Sequence, residues 1–110
     1  MCAVCRMAVS QKQFAAEILD SDENEFKFDD VRCMLRFLAG KGRERPVAAM
    51  FVMDHEARRW LKAEQAYFVR SARLATPMGG GYAAFGDSAA AAAFAKPVDG
   101  TVLTFSEMRK

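Results

Sequence analysis

The sequence predicts an α+β fold in which two tandem ββαβ units pack into one small domain, and three observations carry that expectation. The order strand, strand, helix, strand can be read twice along the 110 residues. Phe28-Asp29-Asp30 and Phe85-Gly86-Asp87 occupy the same strand-to-helix junction in the two copies. Each copy is also too short to bury an adequate core alone, so the two are expected to share one. The division falls into residues 1–60, an N-terminal Cys-x-x-Cys segment with the first unit, and residues 61–110, the second unit with a Thr-Pro-Met loop.

In the first unit, residues 14–19 and 25–28 read as strands, and Asp20, Ser21, Asp22, Glu23 and Asn24 form the polar turn between them. Asp29 is the expected N-cap of the helix that follows, and Gly40 its stop. Val31, Met34, Leu35 and Leu38 fall at i, i+3, i+4 and i+7, an apolar stripe. Cys33 and Phe37 lie beside the stripe, and only Arg32 and Arg36 mark a solvent side. A Gly/Arg-rich loop over residues 40–46 leads to residues 47–53, which are apolar at odd and even positions alike. That pattern predicts an internal strand covered on both faces.

In the second unit, residues 66–70 and 81–85 read as strands, joined by a loop that contains Thr76-Pro77-Met78-Gly79-Gly80. Asp87 or Ser88 caps an Ala-rich helix that Pro97 ends. Residues 101–105 form a β-branched closing strand.

With 52% hydrophobic and 27% charged residues, the chain has the balance of a globular protein and is too apolar for disorder. It holds no apolar run of about eighteen residues, the length a membrane span needs. Sixteen basic and fourteen acidic residues give a net charge of +2, spread along the chain. The basic clusters at 41–45 and 58–59 are short and include or adjoin acidic residues. A nucleic-acid surface would show a concentrated basic stripe with interleaved aromatics, so no nucleic-acid partner is expected. There is no Gly-x-Ser-x-Gly and no phosphate-cradling Gly-x-x-x-x-Gly-Lys. The paired carboxylates Asp29-Asp30 sit at a helix cap. Gly79-Gly80-Gly81 precedes a strand and so lacks the helix dipole of an anion site. Binding is therefore expected rather than catalysis, and no enzymatic turnover.

Sulfur is the unusual feature, with three cysteines and seven methionines against a single histidine. Cys2 and Cys5 form a Cys-x-x-Cys and Cys33 is left over, an odd count that argues against a closed disulfide framework. Cys2-x-x-Cys5-x-Met7 sets three soft donors within six residues. Thiolate and thioether together favour Cu(I), whereas magnesium and calcium prefer hard oxygen ligands. A thioether needs no deprotonation to ligate. Met7 reads equally as a packing residue under the first strand, the usual use of methionine. Met78 differs, because it sits in a Gly-rich loop and on no periodic face. Its glycines allow the backbone close to something bound, which points to a binding role. Met34, Met50 and Met53 lie on helix or strand faces and read as core. Cys33 reads as a buried free cysteine, although its place near a helix N-terminus also suits a thiolate. His55 is expected in an exposed turn, and it supplies the only imidazole.

Three rival readings arise on the residues alone, and the second of them mostly fails. A structural zinc site could use Cys2, Cys5, Cys33 and His55, an allowed set of three cysteines and one histidine, though it lacks a second paired motif. A thioredoxin-like oxidoreductase would need its Cys-x-x-Cys after a strand and at a helix N-terminus, and here the motif begins at residue 2. A metal-free adaptor would close Cys2 and Cys5 into a disulfide. Cys33→Ser separates the first reading from copper: it damages a zinc site and leaves copper affinity nearly unchanged.

Four motifs together are similar to a known family: Cys2-x-x-Cys5-x-Met7; Phe28-Asp29-Asp30-Val31-x-Cys33-Met34-Leu35; Asp54 followed by Trp60-Leu61-x-Ala63-x-x-Ala66-x-Phe68-Val69; and Thr76-Pro77-Met78-Gly79 with Ala84-Phe85. In this order, from residue 2 to about residue 95, they resemble the NosL family of copper-binding accessory lipoproteins of nitrous oxide reductase assembly. The resemblance implies paired ββαβ units and a Cu(I)-binding metallochaperone of denitrification, held outside the cytoplasm in the periplasm or at the outer membrane. It carries copper binding onto Cys2, Cys5, Met7 and Met78, with Cys5 and Met78 as principal ligands. It implies a copper-accepting enzyme as partner, nitrous oxide reductase, and contact with membrane only through a lipid anchor. The chain departs from the family pattern in that no charged or apolar leader and no lipobox precede Cys2.

Overall fold

The structure is a computed structural model and describes residues 2–4, 11–40, 47–76, 79 and 81–108. After a 3-10 turn at Lys12–Phe14, β1 (Ala16–Asp20) and β2 (Glu25–Phe28) form a hairpin that leads into α1 (Val31–Ala39). β3 (Val47–Met53) and β4 (Trp60–Lys62) follow. The second half holds β5 (Tyr67–Arg70), β6 (Tyr82–Phe85), α2 (Ser88–Ala95), β7 (Thr101–Thr104) and one helical turn, α3 (Phe105–Met108).

Two antiparallel sheets result, one of four strands in the order β2-β1-β3-β4 and one of three in the order β6-β5-β7. In each, the first strand of the unit is central, the second lies on one side and the strand after the helix on the other. The repeat read from the sequence is therefore a repeat of topology. β4 is the strand the sequence reading lacked, and it adds to the first sheet through Phe51↔Lys62 and Met53↔Trp60. Three residues are too few to show an alternation.

The helix boundaries follow from their caps. Asp30, and not the expected Asp29, is the N-cap of α1: its backbone is extended and its Oδ1 accepts from the Arg32 N–H at 2.9 Å. Gly40 closes that helix, donating to the carbonyls of Arg36 and Phe37. Val31, Cys33, Met34, Phe37 and Leu38 are buried while Arg32 and Arg36 face solvent, as the stripe predicts. Asp87 caps α2 by accepting from the Ala90 N–H. Pro97 then sits in the 3-10 turn Lys96–Val98 that ends it.

The two sheets are joined where β3 ends. Asp54 makes a parallel bridge to Ala84, and the His55 N–H donates to the Ala84 carbonyl at 2.8 Å. One apolar cluster lies under α1 and takes Ile18, Phe28, Met34 and Val52 from the first half with Phe68, Ala84 and Phe105 from the second. A second cluster gathers Phe14, Val69, Ala83, Phe85, Ala91 and Ala95. β5 lies between them. Because successive side chains point to opposite faces, Phe68 enters the first cluster and Val69 the second, and both are fully buried.

Cover on both faces therefore belongs to β5 and not, as expected, to β3. Met50 and Val52 of β3 are buried, Phe51 and Met53 only half so, and Val47 and Ala48 are exposed. A continuous apolar run permits two-sided burial; what packs above and below decides it. Among the described residues, no helix is long and apolar enough to cross a membrane.

Candidate metal centre

Cys2 lies against the first core cluster and is fully buried. Its neighbour Ala3 anchors the segment by donating its N–H to the Lys27 carbonyl of β2 at 2.7 Å. β2 then delivers the chain to the Asp29-Asp30 pair. Since Asp30 takes the cap, the Asp29 carboxylate is directed inward, and one helical turn further Cys33 presents its thiol to it. The Cys33 Sγ donates to Asp29 Oδ1 at 3.6 Å. Cys2, Asp29 and Cys33 together place one donor atom each within 4.8 Å of one another, and all three residues are buried.

Two thiols and a carboxylate this close form a donor set that can hold a cation, and thiols release their protons on ligating one. Cysteine sulfur selects Cu(I) or zinc among common ions, and a carboxylate oxygen is compatible with zinc. Neither Cys2 nor Cys33 is in a disulfide.

Among the described residues, Thr76 of the second half reaches Asp30, next to this group. Thr76, at the start of the Thr-Pro-Met loop, donates its hydroxyl to Asp30 Oδ2 at 2.6 Å, and its Oγ1 accepts from the Gly81 N–H at 3.1 Å. Gly81 has φ near +73°, and a Cβ there would stand 2.5 Å from the Ser71 carbonyl oxygen. Only glycine closes the loop at this point.

Of the residues the sequence put forward as ligands, Cys2 is in this group, while Cys5, Met7 and Met78 lie outside the described residues. Cys33 joins Cys2, which the sequence left open. Asp29 was read as the helix cap instead of a donor. The signal that could have found it is the spacing Asp29 to Cys33, four residues on a helix, next to a second aspartate able to cap.

His55 is not with the sulfur. Its ring packs against Phe94, Phe14 and Phe85, with centroids 4.9, 5.3 and 5.8 Å away, and its Nδ1 is buried without a hydrogen-bond partner. The exposed turn expected for it is corrected: the turn is tied to β6, which draws the imidazole into the second cluster. Burial, with the nearby Arg58 charge, holds its pKa below the ordinary value against the pull of Glu56 and Asp54. A zinc set of three cysteines and one histidine thus loses its histidine. The residue before it, Asp54, accepts from the N–H groups of Glu56, Ala57 and Gly86 at 2.9, 2.9 and 3.2 Å. Burial opposes its charge, yet those donors and Arg59 outweigh it and hold the carboxyl below the usual range.

The sequence profile of the NosL family matches residues 1–110. The chain belongs to the NosL family. Among solved structures, the fold is similar to the crystal structure of the copper chaperone NosL from Shewanella denitrificans. The TM-score is 0.84 at 22% sequence identity, over 96% of this chain and 87% of that one. At that identity the likeness establishes the fold. No curated relative matches the sequence. Within the NosL fold of this chain, the buried donor group sits where the N-terminal segment, the β2–α1 junction and, through Thr76, the β5–β6 loop converge.

Proposed function

We propose that this chain is a metallochaperone that carries Cu(I) and hands it to an extracytoplasmic copper enzyme, nitrous oxide reductase, without enzymatic turnover of its own. The observation that carries the reading is the buried Cys2–Asp29–Cys33 group. Family membership and the description of the similar structure as a copper chaperone agree with it. Cys2 and Cys33 act as thiolate ligands, and Cys5, Met7 and Met78 supply further sulfur by exchange. Copper(I) accepts low coordination by soft donors, and such a site can pass its ion to an acceptor by ligand substitution, unlike a closed tetrahedral zinc site. The protein works outside the cytoplasm, held to the membrane by a lipid anchor.

The test is an anaerobic Cu(I) titration against a chromogenic chelator, on the parent and on Cys2→Ala, Cys33→Ala, Cys5→Ala and Met78→Ala. Stoichiometric binding by the parent, weakened in the variants, is expected. Tight Zn(II) binding with no affinity for Cu(I) overturns the reading. Transfer to metal-depleted nitrous oxide reductase, followed by its copper chromophore, tests the acceptor.

A further inference from the structure

We infer that Thr76 is a positioning residue of the copper site, coupling the Thr-Pro-Met loop to the thiolate group through Asp30. The inference rests on the copper reading above and goes beyond it, since Thr76 itself ligates nothing.

Asp30 is fully buried and its two carboxylate oxygens have different duties. Oδ1 holds the first turn of α1, the turn that carries Cys33. Oδ2 accepts from Thr76, 46 residues away, in the loop between the first two strands of the second unit. The same hydroxyl oxygen accepts from Gly81, at the far end of that loop. One hydroxyl therefore closes the loop and fastens it to the helix that presents Cys33, beside the residue that presents Asp29. A threonine whose hydroxyl both donates and accepts has no rotational freedom left. A hydrogen bond to a buried carboxylate is among the stronger ones a hydroxyl makes. The two ends of the staple belong to different units, so it holds Thr76 and Gly81 against the helix that carries Cys33, a placement neither unit sets by itself. Preorganising donors in this way raises affinity by removing ordering cost from the binding step.

Thr76→Val keeps the shape and removes the hydroxyl; Thr76→Ser keeps the hydroxyl and removes a methyl. In the chelator competition, Thr76→Val is expected to raise the Cu(I) dissociation constant about tenfold to a hundredfold, equivalent to 1.4–2.8 kcal/mol. Thr76→Ser should stay within about threefold of the parent, a change under 0.7 kcal/mol. A role in folding alone would lower the thermal midpoint of the metal-free protein and leave the affinity of the folded fraction unchanged. The penalty of Thr76→Val should also shrink in a Met78→Ala background, because the loop then has less to deliver. Hydrogen exchange needs no variant: the Gly81 amide should slow on Cu(I) loading while the Val102 amide of β7 does not. The inference is overturned if Thr76→Val binds Cu(I) like the parent, if its penalty persists undiminished without Met78, or if Gly81 exchanges equally with and without metal. A parent protein that fails to bind Cu(I) at all sinks the copper reading instead, and the two failures are distinct.

Discussion

Replacing Asp54 by asparagine tests how the two units are held together. The carboxylate accepts three backbone N–H groups, two within its own turn at 2.9 Å and one from Gly86 at 3.2 Å. The substituted side chain can keep its single oxygen toward Glu56 and Ala57, but its amide nitrogen then faces the Gly86 donor. One bond to a charged acceptor is lost and a donor is left facing a donor, which costs about 2 kcal/mol. For a chain of this length that corresponds to a fall in Tm of roughly 8 °C. Asp54→Ala leaves all three N–H groups without their acceptor and should cost about 3–4 kcal/mol. The pH dependence gives the sharper check. Because the folded pKa lies below the ordinary value of 3.8, the contribution is complete above that value and fades as pH falls through the folded pKa. Urea unfolding of parent and Asp54→Asn at pH 7 and near pH 2 measures the difference at both ends. A loss below about 0.5 kcal/mol at pH 7, or an equal loss at both pH values, would refute the argument.

Other consequences can be measured on the same material. Cys33→Ser should raise the Cu(I) dissociation constant by at least about tenfold, opposite to what the sequence alone suggested, because a hydroxyl is a poor ligand for a soft ion; unchanged affinity would remove Cys33 from the site. The folded pKa of His55 lies below its ordinary 6.5, so as pH falls the unfolded chain takes up the proton first. The parent should therefore lose stability relative to His55→Leu below about pH 6.5, and parallel pH profiles would contradict this. Phe68→Ala empties the fully buried position where β5 enters the shared core, and should cost about 3–5 kcal/mol in urea unfolding; a cost under 1 kcal/mol would mean the cluster closes over the gap.

The order of elements, the doubled ββαβ plan and membership of a family are all legible along the chain. Each is written in local patterns: the stripe Val31, Met34, Leu35 and Leu38, the glycine at the end of α1, Asp87 before α2, and four motifs in fixed order. Periodicity and caps act over a few residues, so a reader of the chain can see them. The candidate metal centre and its supports depend on packing beyond that range. Two adjacent aspartates can each cap a helix, and the phase of one residue gives the cap to Asp30 and leaves Asp29 to the thiols. An apolar run can be covered on one face or two, and packing gave two-sided cover to β5. His55 belongs to an aromatic cluster because its turn is tied to Ala84. Cys2 meets Cys33 where the N-terminal segment bonds β2, which leads into α1, and Thr76 meets Asp30 across two halves that share a core and a bridge at Asp54. Donor types can be counted along a chain, but a site depends on distances, and distances between remote residues are set by how whole sheets and helices pack.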